Sequence, residues 1–199
     1  MEKQFYTKYS RLLEALPDVA ECAEGKLALV GGTALTLFYL KHRVSVDLDF
    51  VPIGKGDEAR LKEALKGCLS KKGYTTLRAS HTNQFVIQFE DSSIKVEVFH
   101  PQTKVLSFEE HPFGNAKLKV ASLEDLFRMK SEAYLDRKAA RDLFDCVCIM
   151  KRKDDFSRLG ELLRNGLPDD LAEAGELAFN KEEYDFFIKV INDASKAGN

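Results

Sequence analysis

No apolar stretch in the 199 residues approaches the length that crosses a bilayer. The start, MEKQFYTKYS, lacks the basic and then apolar pattern of an export signal. Together these absences predict a cytoplasmic protein with no membrane partner. A basic excess is also missing: 30 Lys and Arg stand against 32 Asp and Glu, for a net charge of -2. Strong nucleic-acid binders usually carry such an excess, so any polyanion contact here must use a local patch. Candidates are Lys62, Lys66, Lys71 and Lys72, then Lys117 and Lys119, then Lys151, Arg152 and Lys153. For any single group, a solvated helix face or loop is the favoured reading. The four cysteines (Cys22, Cys68, Cys146, Cys148) form no C-x-x-C pair. That argues against a zinc site and predicts buried thiols in a reducing compartment. There is no internal repeat and no low-complexity segment. What remains is an ordinary globular composition, 44% apolar and 31% charged. It is enough chain for one sizeable core, or for one core with a small helical appendage.

Apolar spacing predicts a helix over 5–16 ended by Pro17, a short buried strand over 27–30, and a turn at Gly31-Gly32. A helix from Thr33 to about Lys41 follows, with Thr33 placed to cap it. Residues 46–51 alternate as a strand, and 57–72 form an amphipathic helix stopped by Gly73. Residues 84–89 and 94–99 are strands joined by Glu90-Asp91-Ser92-Ser93. Helical patterns then dominate, over 122–135, 138–151, 156–165 and 180–195. The expected organisation is an α+β core over 1–120 and a helical part over 121–199 packed on it.

Asp47-Leu48-Asp49 is the strongest chemical signal. On a strand, residues two apart share a face, roughly 7 Å apart along the chain. Two carboxylates on one face repel unless a cation lies between them. Hard divalent ions take oxygen ligands of this kind, and two such ions can hold both the attacking and the leaving oxygen of a phosphoryl displacement. The plainer alternative is a pair of solvated acids on a sheet edge. The apolar flanks Val46, Leu48, Phe50 and Val51 favour a strand with one buried and one acidic side. Gly31-Gly32-Thr33 lets backbone approach a phosphate at a helix start, although strand-to-helix turns are common. In Ile94–Phe99, Glu97 shares a face with Lys95 and Phe99; it completes a triad if this strand lies beside 46–51, and is otherwise an exposed acid. Further on, Lys130, Arg141, Asp142 and Asp145 fall on helical patterns. Arg141 with Asp145, and Asp142 with Asp145, have the spacing of surface salt bridges. Leu143, Phe144 and Val147 flank them closely and point to partial burial.

The run Leu29–Leu35, followed by His42–Phe50, resembles the AbiEii/AbiGii-type nucleotidyltransferase toxins of the DNA-polymerase-β-like superfamily. The stretch around Lys130 and Arg141–Asp145 is similar to that family's downstream motifs. The resemblance covers about residues 27–150 and implies a minimal mixed sheet with helices and a C-terminal helical part. It implies transfer of a nucleoside monophosphate from an NTP to an acceptor hydroxyl. Asp47 and Asp49 match the metal-binding acids, and with Glu97 they would hold two Mg²⁺ ions, Mn²⁺ being an alternative. Gly31, Gly32 and Thr33 match the triphosphate turn, and Arg43 and Ser45 the run before the acids. Lys130 and Asp142 match positions treated as catalytic or nucleotide-contacting, with Arg141 beside them. A tRNA acceptor and a cognate antitoxin are the partners implied. The competing expectations are a small-molecule, antibiotic-type nucleotidyltransferase and a non-catalytic nucleotide-binding module of the same fold.

Overall fold

The computed structural model describes residues 2–164, 166–168, 170–179 and 181–197. The expected helix ends at residues 165 and 180 lie outside these described residues. The chain forms two compact units, Met1–Ala34 with Ser45–Ser122, and Leu35–Val44 with Leu123–Asn199.

The first unit holds a seven-stranded mixed sheet. Its strands are β1 (Leu27–Val30), β2 (Leu48–Pro52), β3 (Thr75–Arg78), β4 (Gln84–Gln88), β5 (Ser93–Val98), β6 (Phe108–Phe113) and β7 (Ala116–Ala121), in the order β3-β4-β5-β2-β1-β7-β6. β1 runs antiparallel to β2 and parallel to β7, and β2 runs parallel to β5. Leu48, Phe50, Ile94, Val96 and Val98 are fully buried, while the intervening Asp49, Lys95 and Glu97 are half-buried. The period of two thus separates an apolar from a charged sheet face. Helices α1 (Glu2–Ala23) and α3 (Glu58–Lys71) pack on this sheet and on each other. Between β1 and β2 runs the short helix α2 (Gly31–Ala34).

Several local signals act as read. Asp57 caps α3 by accepting from the Arg60 amide at 2.8 Å, and Gly73 follows the helix at φ +97°. Others are corrected. α1 continues through Pro17 to Ala23 instead of ending there. Pro17 lies on its exposed side, whereas Leu12, Leu16, Val19, Ala20 and Ala23 bury the opposite one, so packing outweighs one lost backbone hydrogen bond. β3, β6 and β7 escape sequence reading because each carries exposed positions instead of an apolar run. Cys22 and Cys68 are a disulfide joining α1 to α3, not two free thiols. Closing a loop of 46 residues contributes on the order of 4 kcal/mol through the unfolded chain. Cys146 and Cys148 are the buried free thiols expected.

The second unit is helical: a π-helical segment Leu35–Leu40, then α4 (Leu123–Arg137), α5 (Ala140–Lys153), α6 (Leu159–Leu163), α7 (Ala172–Leu177) and α8 (Lys181–Ala197). α5 is its axis. Nearly every residue from Ala140 to Met150 is buried, and α4, α7 and α8 pack around it. Residues 42–44 pair backbone to backbone with 177–179, through Val44 N–H to Leu177 C=O at 2.8 Å and Phe179 N–H to His42 C=O at 3.0 Å. Among the described residues no helix is long and apolar enough to cross a membrane.

Candidate active site

In the first unit, parallel pairing of β2 with β5 sets Asp49 opposite Glu97, Leu48 opposite Val96 and Phe50 opposite Val98. Asp49 and Glu97 therefore stand side by side on the charged face. Asp47 falls one residue before β2, which starts at Leu48 and not at 46. Its carbonyl takes up the Thr33 hydroxyl instead of joining the ladder, and Thr33 Oγ1 also lies 3.0 Å from the Ser45 hydroxyl. Thr33 is thus a tie between α2 and the segment ahead of the acids, not the helix cap expected.

Gly31 opens α2 at φ +75°, a conformation that side-chain-bearing residues rarely adopt. A Cβ there would meet Asp49 Oδ2 at 2.5 Å and Asp49 Cβ and Cγ at 3.3 Å. The missing side chain leaves room for the acid itself. Glu97 is held by two amides, Asn83 Nδ2 donating to Oε1 at 2.7 Å and Gln84 Nε2 to Oε2 at 2.9 Å. Asp47 Oδ2 pairs with Lys95 Nζ at 3.1 Å. Burial pushes the Lys95 pKa down, but Asp47, then Asp49 and Glu97, more than restore it, and the net shift is upward. All three carboxylates thus already act on one cation. Their hard oxygens are the donor type a divalent ion such as Mg²⁺ accepts. Among the described residues no group of three or more His, Cys, Asp or Glu is drawn together tightly enough to form a ready-made metal cage, in keeping with Lys95 standing among the acids.

The downstream candidates lie in the second unit, where they are buried rather than ranged along a surface. Asp145 is fully buried; Arg43 donates to it from Nε at 2.6 Å and Nη2 at 2.7 Å, and Lys130 Nζ lies at 2.8 Å. His42 Nε2 lies 2.6 Å from the same carboxylate. Asp142, also fully buried, receives Lys130 Nζ at 3.0 Å and Arg137 Nε at 2.6 Å. Burial alone would raise both aspartate pKa values; the cations more than reverse this, Arg43 and Lys130 for Asp145, Lys130 and Arg137 for Asp142. His42 is shifted down, by burial first, against the opposing pull of Asp145. Its Nδ1 is buried with no hydrogen-bond partner among the described residues, as suits a neutral ring donating from Nε2. Arg141 turns away from Asp145 and pairs at 3.8 Å with Glu173, both half exposed. Sequence spacing missed His42 and the central place of Asp145. The available signal was an acid embedded in the apolar run Leu143–Met150.

The chain matches the family model "Nucleotidyl transferase AbiEii toxin, Type IV TA system" over residues 11–197. It belongs to the AbiEii nucleotidyltransferase family. Its fold resembles that of an antigenic nucleotidyltransferase-like protein from Paracoccidioides brasiliensis, at 15% identity and a TM-score of 0.52, covering 82% of this chain and 87% of that one. JHP933 from Helicobacter pylori aligns at 20% identity and a TM-score of 0.49 over 100% of this chain and 96% of that one. None of the curated proteins is similar enough to match. The AbiEii assignment makes this chain a nucleotidyltransferase and agrees with its mixed sheet.

Two outcomes follow. Gly31→Ala combines a strained backbone with a collision against Asp49, so it should cost about 1–3 kcal/mol in a denaturant titration and reduce nucleotide transfer far more than that loss explains. Full transfer by the folded variant would contradict the close approach. The second concerns acid. The unfolded chain protonates His42 near pH 6.5 while the folded chain resists, so stability falls as pH drops below about 6.5, by at most about 1.4 kcal/mol per unit. A further loss begins below about pH 4, as Asp142 and Asp145, ionised in the fold, take up protons in the unfolded chain. Urea midpoints across pH 3–8 should show both stages, and His42→Gln should lack the first.

Proposed function

We propose that this AbiEii-family chain is a Mg²⁺-dependent nucleotidyltransferase that moves a nucleoside monophosphate from an NTP to an acceptor hydroxyl of RNA, a tRNA being the leading acceptor, as a toxin-type enzyme with a cognate antitoxin. The observation that carries the chemistry is the register of β2 and β5, which brings Asp49 beside Glu97 on the face that Asp47 also serves. These three carboxylates would hold the divalent cation, with Mn²⁺ able to take the same oxygens. When bound, the ion supplies charge neutralisation at the transferring phosphate and acidity to the acceptor hydroxyl. Gly31, Gly32 and Thr33 present the turn that would take the triphosphate, and Ser45 steadies it through Thr33. The acceptor oxygen bonds to the α-phosphorus, the bond to the β-phosphate oxygen breaks, pyrophosphate leaves with the electron pair, and the acceptor proton passes to water.

In the second unit, family resemblance supports a catalytic or nucleotide-contacting role for Lys130, Asp142 and Arg141. Asp142, gripped by Lys130 and Arg137, is a weak base, so its proposed part is to orient Lys130. Arg43 spends its fork on Asp145 and would act by positioning.

An RNA acceptor is favoured by a groove of about 360 Å³ in the first unit, lined by Lys62, Lys66, Arg78 and His81 against the single acid Glu63. Gln84 lines the same groove and donates to Glu97, which joins a basic track to the acidic site. Basic grooves of this kind follow a phosphate backbone without reading sequence. A cationic small acceptor would meet repulsion there.

Incubating the protein with Mg²⁺, each α-labelled NTP in turn and total tRNA tests the proposal, with Asp49→Asn as comparison. Label should reach tRNA with the wild type and fall by at least 10²-fold, on the order expected for losing an electrostatic stabiliser, in a variant that still melts normally. Equal labelling by Asp49→Asn would refute the site. Label on small hydroxylated acceptors alone would keep the chemistry and remove RNA.

A further inference from the structure

β4 and β5 run antiparallel with Gln84 opposite Glu97, so the two side chains share the charged sheet face. Gln84 Nε2 donates to Glu97 Oε2 at 2.9 Å, and Asn83 Nδ2 to Oε1 at 2.7 Å. An ionised carboxylate only accepts, so the Gln84 amide must turn its nitrogen to Glu97. Its carbonyl oxygen then lies on the other arm of the amide, and among the described residues it takes up no donor. Gln84 also lines the basic groove, together with Phe85, Lys62 and Lys66. The loop leading into it is anchored twice: Lys62 Nζ donates to the Thr82 carbonyl at 2.6 Å, and the Val98 amide to the Asn83 carbonyl at 3.0 Å. A fixed acceptor atom is thus held where the groove meets Glu97.

We propose that Gln84 is a specificity-determining residue: its carbonyl oxygen accepts the 2′-hydroxyl of the last ribose of an RNA strand lying in the groove, while its amide nitrogen keeps hold of Glu97. The inference rests on the RNA-directed nucleotidyltransferase reading and assigns the residue that tells ribose from deoxyribose there. In that reading the reacting hydroxyl goes to the ion at the acids, so its neighbour on the same ribose is the donor left for Gln84. Lys62, Lys66 and Arg78 attract the phosphates of either polymer and do not discriminate. The 2′-hydroxyl is the group by which a site separates RNA from DNA. A strand lacking it would leave the Gln84 oxygen without a donor.

Fluorescence anisotropy of a short single-stranded RNA, labelled at its 5′ end, tests this on the full chain with Mg²⁺ and a non-hydrolysable NTP analogue. The comparison strand is identical except for a 2′-deoxy last nucleotide. Wild type should bind the all-ribose strand tighter by about 3- to 10-fold, the usual effect of one hydrogen bond. Gln84→Met should bind both strands alike. Asn83→Ala loosens the same carboxylate without touching the groove and should keep the preference. Circular dichroism of each variant checks the fold. Equal binding of the two strands by wild type would overturn the inference and leave the RNA reading standing. A preference that survives in Gln84→Met, or disappears equally in Asn83→Ala, would also overturn it. Binding of neither strand by wild type would remove both.

Discussion

Sliding β5 by one residue against β2 would turn Glu97 to the apolar face and set Asp49 beside a valine. The parallel register of these two strands is the constraint on which the acidic site depends. It is fixed by burial: Leu48, Phe50, Ile94, Val96 and Val98 are all fully enclosed, and a slip of β5 would turn Ile94, Val96 and Val98 off the apolar face, away from Leu48 and Phe50. The apolar side of the sheet thus determines the chemistry of the other side. Gly31 adds a second constraint, since its bare Cα lets Asp49 stand against the start of α2, and Thr33 a third, through the Asp47 carbonyl.

The second unit is organised around a different interaction. Asp145 is a buried carboxylate that receives Arg43, Lys130 and His42 at once. Buried ion pairs repay their desolvation only when the hydrogen bonds are complete, and here both oxygens of each aspartate are engaged. The network ties residues 42–43, α4 and α5 through polar contacts that tolerate no substitute geometry. It therefore specifies the arrangement of these elements more than it adds net stability.

Much of the acidic site was legible from local pattern. Asp47 and Asp49 stood out because alternation placed them together on a face whose reverse is apolar, and Glu97 followed from the same alternation in Ile94–Phe99. The glycine turn was legible as a turn; that it accommodates Asp49 was not, because the contact spans strands that only folding brings together. The helices at 123–137 and 140–153 showed in their apolar spacing. Asp145 was read by its nearest helical neighbour, Arg141, whereas its partners Arg43 and His42 lie 102 and 103 residues away. The Cys22–Cys68 bond was hidden for the same reason, since scattered cysteines carry no pairing information. Lys95 was visible as a face-mate of Glu97, but its contact with Asp47 needed the register.

The proposed chemistry places the cation of a nucleotidyl transfer at Asp47, Asp49 and Glu97. Crystals of the full chain soaked with Mn²⁺ and a non-hydrolysable NTP analogue, measured at the manganese absorption edge, test it directly. An anomalous peak is expected within coordinating distance of the Asp49 and Glu97 carboxylates, with the triphosphate at the Gly31 turn. A peak held elsewhere in the chain, with these carboxylates bare, would contradict it.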